Sequence, residues 1–166
     1  MNPRRVVALV GLPGSGKTSL TGPLVARHGF SLIDRDAIRT KLFPDCAFTQ
    51  AEKQAANQAV LEALRVNCAA GRESLLDGMT FGRRSEREVV GAIASRHGFR
   101  FIALWLDCPV EVAVRRVTTQ PHAAADRSPA LVREVAARFE RPDEAVRLDA
   151  TRPLDELRCL IEAVLT

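Results

Sequence analysis

Tyrosine is absent from this 166-residue chain, tryptophan occurs once, and aromatic residues make up only 5% of it. No clustered arginine and aromatic side chains form the platform that single-stranded nucleic acid usually needs. Cysteine is equally sparse. Cys46, Cys68, Cys108 and Cys159 are widely scattered, with no Cys-x-x-Cys pair and no histidine nearby. That spacing argues against zinc and against a disulfide framework, and predicts free, mostly buried thiols. No segment approaches the roughly 18 consecutive apolar residues of a membrane helix. Met1-Asn2-Pro3-Arg4-Arg5 leads straight into a short strand-like run, not a long apolar leader, so a soluble, cytoplasmic protein is expected. Lys17, Lys41 and Lys53 are the only lysines, leaving arginine to carry most of the formal charge of +4. Those charges alternate in sign along helices, which favours a compositional bias over a polyanion-binding face. Repeats and long low-complexity linkers are also missing. With 46% hydrophobic residues, the chain is expected to bury one core as a single domain, residues 1–166.

What the sequence does contain is the run Gly11-Leu12-Pro13-Gly14-Ser15-Gly16-Lys17-Thr18, between the apolar stretch Val6 to Val10 and a helix-like segment. Strand, glycine-rich loop and helix in this order form a phosphate-binding loop. Backbone amides converge on phosphate oxygens only where no Cβ intervenes and positive φ is allowed. Gly11, Pro13, Gly14, Ser15 and Gly16 shape the loop, Lys17 reaches the β/γ-phosphates, and Thr18 offers its hydroxyl to Mg²⁺. The pattern makes this a nucleoside triphosphate protein.

Strand-like runs alternate with helical patterns along the rest of the chain, the signature of βαβ units and a parallel sheet. Strands are predicted at Val6 to Val10, Phe30 to Ile33, Ser74 to Asp77, Phe99 to Leu106 and Val146 to Leu148. Helices are predicted at Thr18 to His28, Ala37 to Leu42, Thr49 to about Ala70, Ser85 to His97, Pro109 to Thr118, from Ser128-Pro129, and Pro153 to Leu165. Capping boxes are read at Thr49 with Glu52 and at Ser85 with Glu88, and Gly71 is read as a left-handed cap. His28 and His97 precede glycines at helix ends, where the dipole favours them. Trp105 lies in a strand expected to be buried. Leu131, Val132, Val135 and Phe139 recur at helical spacing.

Ligands of parallel sheets bind beyond the carboxyl ends of the strands, so Asp34, Asp36, Asp77 and Asp107 draw notice. Asp77 ends an apolar strand and is placed to hold Mg²⁺ or to order the loop. Asp36 offers a base for an attacking hydroxyl, with Arg39 three residues later as a clamp. The alternative duty for Asp36 is to cap the short helix that follows it.

Taken in order, the loop at 11–18, Asp34-Arg35-Asp36-Ala37-Ile38-Arg39, Leu76-Asp77-Gly78 and Leu106-Asp107-Cys108-Pro109 resemble the small P-loop kinases often labelled AAA-domain ATP-binding proteins. Polynucleotide 5′-hydroxyl kinases, chloramphenicol phosphotransferase and zeta toxins are relatives of that group. The resemblance implies a three-layer α/β fold like that of nucleoside monophosphate kinases, with a five-stranded parallel sheet and a small lid near residues 119–127. It also implies Asp36 as general base, Arg39 at the acceptor, and Arg116 directed toward the phosphates. Many relatives carry a second lid arginine four residues beyond, where this chain has Gln120. Arg127, Arg115 or a shifted lid would have to compensate. A hexameric AAA+ motor needs a longer core, a helical lid domain and sensor residues, none of which is present.

The expected activity is transfer of the γ-phosphate of ATP, with Mg²⁺, to a hydroxyl of a small molecule, by a monomer or homodimer. A polynucleotide 5′-end, a toxin-like nucleotide-sugar kinase and a non-catalytic ATP switch are the alternatives.

Overall fold

A computed structural model describes residues 3–120 and 126–166. β1 (Arg5–Val10) runs through the glycine loop into α1 (Lys17–His28), and β2 (Ser31–Asp34) runs into α2 (Arg35–Leu42). After α3 (Gln50–Ala69) come β3 (Ser74–Asp77), α4 (Arg84–Arg96) and β4 (Arg100–Asp107). α5 (Val110–Thr119), α6 (Pro129–Ala137), β5 (Val146–Asp149) and α7 (Leu154–Leu165) complete the order. The strands form one parallel sheet, β2-β3-β1-β4-β5, as the alternation of elements predicts. Val6 of β1 is in register with Ser74 on one side and Phe101 on the other.

The continuous apolar run of β1 follows from its central place, where both faces are covered. Val7 and Leu9 meet Leu20 and Leu24 of α1, Val132 of α6 and Ile161 of α7. Val6, Ala8 and Val10 meet Val60 and Leu64 of α3 and Val90 and Ile93 of α4. Successive side chains of a strand point to opposite faces, so one six-residue strand seeds two cores and creates three layers. Trp105 is buried and stacks on Phe139 with ring centroids 6.4 Å apart, in keeping with a core role.

Local signals set most boundaries. Thr49 Oγ1 accepts from the Glu52 N–H at 3.2 Å while Glu52 Oε2 accepts from the Thr49 N–H at 2.8 Å, closing the predicted capping box of α3. Ser128 caps α6 ahead of Pro129. The box expected at Ser85 is displaced. The cap lies two residues earlier, at Arg83: Glu86 accepts from the Arg83 N–H at 3.1 Å, and the Glu140 carboxylate accepts from the Arg84 N–H. That last partner is remote in sequence, so local spacing alone misplaces the start. His28 ends α1 as expected and meets Glu162 of α7 at 3.0 Å. Among the described residues the thiols are free, with Cys68 and Cys108 buried and Cys159 exposed. No described helix is long and apolar enough to cross a membrane. Residues 121–125 of the expected lid, His122 among them, lie outside the described residues.

Candidate active site

The strand order diverges at β1, and the loop at its carboxyl end occupies the crevice where parallel sheets bind ligands. Gly14 has φ +81°, and a Cβ there would stand 2.6 Å from the Ala113 carbonyl oxygen, so only glycine lets the loop lie against α5. Gly16 caps α1 without a side-chain bond, and no acidic residue occupies the first turn. The positive end of the helix is therefore uncompensated, which suits an anion. Lys17 is 5% exposed and its Nζ donates to the carbonyls of Gly11 at 2.8 Å and Leu12 at 2.9 Å. Burial pushes its pKa down to about 8, with Asp77 acting in the opposite direction.

Asp77 ends β3 fully within the protein. Its Oδ2 accepts from Thr21 Oγ1 at 2.8 Å, while its buried Oδ1 has no partner among the described residues. Thr18 is exposed on the first turn of α1. An orphaned carboxylate oxygen and a hydroxyl suit Mg²⁺, which keeps several waters and takes few protein ligands. Among the described residues no group of three or more His, Cys, Asp and Glu side chains could hold a metal ion.

Asp34 caps α2: its Oδ1 accepts from the N–H groups of Asp36 at 2.9 Å and Ala37 at 3.3 Å. Asp36 is thereby released from the capping duty. Its carboxylate meets Arg39 Nη2 at 3.2 Å and Arg127 Nη2 at 3.5 Å. Gly78, with φ +83°, makes this possible, because a Cβ there would stand 3.0 Å from the backbone nitrogens of Arg35 and Asp36. Arg39 is buried, with the Phe48 ring centroid 4.6 Å from its Cζ.

Arg116 is spent partly on the scaffold. Its Nη1 donates to Ser15 O at 3.1 Å and its Nη2 to Ala150 O at 2.9 Å, so it ties the phosphate loop to the end of β5. It also lines a cleft of about 320 Å³ with Gly14, Gly16, Thr18, Ser19 and Gln120. A second cleft of about 330 Å³ holds Asp36 and Arg39. Lys17 and Arg127 line both. Asp107 does not line either cleft and pairs with Arg147 at 2.7 Å. Lys53 and Asn57, which the sequence did not mark as site residues, line the Asp36 cleft from α3, and Asn57 Oδ1 accepts from Arg35 Nε at 2.6 Å. Their signal was the polar stripe Gln50, Lys53, Asn57 at helical spacing.

The chain is 28% identical over 116 residues to the "probable adenylyl-sulfate kinase" of Archaeoglobus fulgidus, covering 67% of this chain and 72% of that protein. To the shikimate kinase of Parasynechococcus marenigrum it is 29% identical over 154 residues, covering 90% of this chain and 72% of that one. The Mycobacterium tuberculosis APS kinase, solved with AMPPNP and APS, shares the fold at a TM-score of 0.70 and 21% identity, over 99% of this chain and 100% of that one. The AAA domain family matches residues 6–142, most of the chain, and the chain belongs to that family.

Proposed function

We propose that this protein is a phosphotransferase that moves the γ-phosphate of Mg·ATP to a hydroxyl of a small-molecule acceptor. One observation carries the reading: two clefts meet at Lys17 and Arg127, one beside the phosphate loop and the other holding Asp36. A donor in the first and an acceptor in the second would face each other across those two cations. The kinases named among the similar proteins support a phosphotransferase.

Loop amides and Lys17 hold the β/γ-phosphates, and Thr18 and Asp77 are the residues for Mg²⁺. When bound, the metal supplies positive charge against the phosphate oxygens. Asp36 accepts the hydroxyl proton as the acceptor oxygen bonds to the γ-phosphorus. The bond from that phosphorus to the bridging oxygen breaks, leaving ADP and a phosphate monoester. Arg116, which lines the phosphate-loop cleft while it also holds the loop in shape, answers the developing charge, and Arg127 in the same cleft takes the part Gln120 cannot fill. Positioning and electrostatic stabilisation carry the rate, since this reaction asks little covalent chemistry of the protein.

The test is transfer of labelled γ-phosphate to a panel of hydroxylated metabolites and antibiotics beside a 5′-hydroxyl oligonucleotide. Asp36→Ala should lower transfer to a small acceptor by about 10²- to 10⁴-fold while ATP binding persists. Label on the oligonucleotide alone would overturn the small-molecule acceptor. ATP hydrolysis without transfer, unchanged in Asp36→Ala, would favour a switch.

A further inference from the structure

The cleft that holds Asp36, at about 330 Å³, lies within the range of small-molecule sites. Its lining is unusual in charge. Apart from Lys17 and Arg127, which also line the neighbouring cleft, it carries Arg35, Arg39, Lys53, Arg83 and Arg138. Its carboxylates are Asp36, Glu86 and Asp126. Two of these are already engaged, Asp36 between Arg39 and Arg127, and Glu86 on the Arg83 backbone N–H at the start of α4. Lys53 and Arg83 have no ion-pair partner among the described residues. Arg138 pairs with Glu134 one turn away, an exposed contact that water screens.

Arg39 adds an independent sign. Only 4% of it is exposed, yet its Nε–H has no acceptor among the described residues. One of its terminal nitrogens serves Asp36, and Phe48 covers the guanidinium while its own backbone adopts φ +57°. Buried polar groups are nearly always hydrogen-bonded, and a guanidinium fork fits two oxygens of a planar or tetrahedral oxyanion. A neutral acceptor would leave both the orphaned N–H and the surplus of cations unanswered.

We infer that the acceptor alcohol carries an oxyanion, a carboxylate or a phosphate or sulfate group, received by Arg39 within the arginines of this cleft while the hydroxyl faces Asp36. The inference rests on the phosphotransferase reading, since it takes this cleft as the acceptor site.

The test is calorimetric titration of protein saturated with Mg·AMPPNP, so that anions are kept from the phosphate loop. The probes are matched pairs: D-gluconate and D-glucose, D-glycerate and glycerol, glucose 6-phosphate and D-glucose, glucose 6-sulfate and D-glucose. At least one anionic member should bind about tenfold or more tightly than its neutral partner, and Arg39→Gln should remove that preference. Arg39 is buried and its variant can unfold, so the double variant Arg83→Gln/Arg138→Gln, at exposed positions, is titrated beside it. It should weaken the anionic member by about threefold or more and leave the neutral one unchanged. Absence of charge preference in every pair, or a preference intact in the double variant, overturns the inference. Which pair responds separates carboxylate from phosphate and sulfate. Labelled transfer to the preferred probe then tests the reading beneath: an anionic alcohol bound but never phosphorylated keeps the anion site and overturns the phosphotransferase.

Discussion

Burial of Lys17 holds its pKa near 8, below the ordinary 10.5. The folded protein therefore loses this proton at lower pH than the unfolded chain does. Between about pH 8 and 10.5 the unfolded state binds more protons, so this group's contribution to stability rises with pH, by at most about 1.4 kcal/mol per pH unit. Urea unfolding at pH 7.5 and 9.5 should show that gain in the wild type and lose it in Lys17→Met. Nucleotide phosphate has the opposite leaning. It favours the charged ammonium, so affinity for ATP should fall as pH rises above about 8, with proton uptake on binding visible as a buffer-dependent calorimetric heat. At this same scale Asp34 and Asp36 divide two duties that sequence spacing left together: one carboxylate caps, the other faces two guanidinium groups.

Elements transmit that division. Asp34→Ala removes the cap of α2 and should cost about 1 kcal/mol in chemical denaturation. Because Asp36 lies in the first turn of α2, the same change should also lower phosphoryl transfer. Thr49→Ala removes the comparable cap of α3, and should cost similar stability while leaving transfer nearly unchanged. A variant pair that lost activity equally would show that α2 has no special positioning role. Element existence and type were legible because hydrophobic periodicity and caps are local; the Thr49 box and the Gly71 cap stand where their residues predict. The start of α4 was not, because Glu140 reaches it across the fold. Arg116 shows the same limit. Its place on α5 was readable, but its commitment to Ser15 and Ala150 carbonyls depends on strands far apart in sequence.

The whole molecule rests on a sheet covered on both faces, so its stability is shared by residues that touch neither cleft. Leu104, fully buried in β4, is one of them. Leu104→Ala should destabilise by about 2–5 kcal/mol in denaturant titration, with KM for ATP little changed in the fraction that remains folded. The charge of the cleft belongs to this scale too. Arg35 and Arg39 come from α2, Lys53 from α3, Arg83 from the entry to α4 and Arg138 from the end of α6. In the sequence Arg39 reads as a clamp beside Asp36, while the other charges simply alternate in sign along the helices. Folding gathers these cations while sending many of their acidic neighbours elsewhere. The phosphate loop, the parallel sheet and the candidate base could be read directly from the chain, because glycine conformation, strand alternation and strand-end position are properties of short segments. The surplus of positive charge, the orphaned Arg39 nitrogen and the meeting of two clefts at Lys17 and Arg127 arise only when distant segments pack, since net field and unsatisfied burial depend on all the neighbours at once.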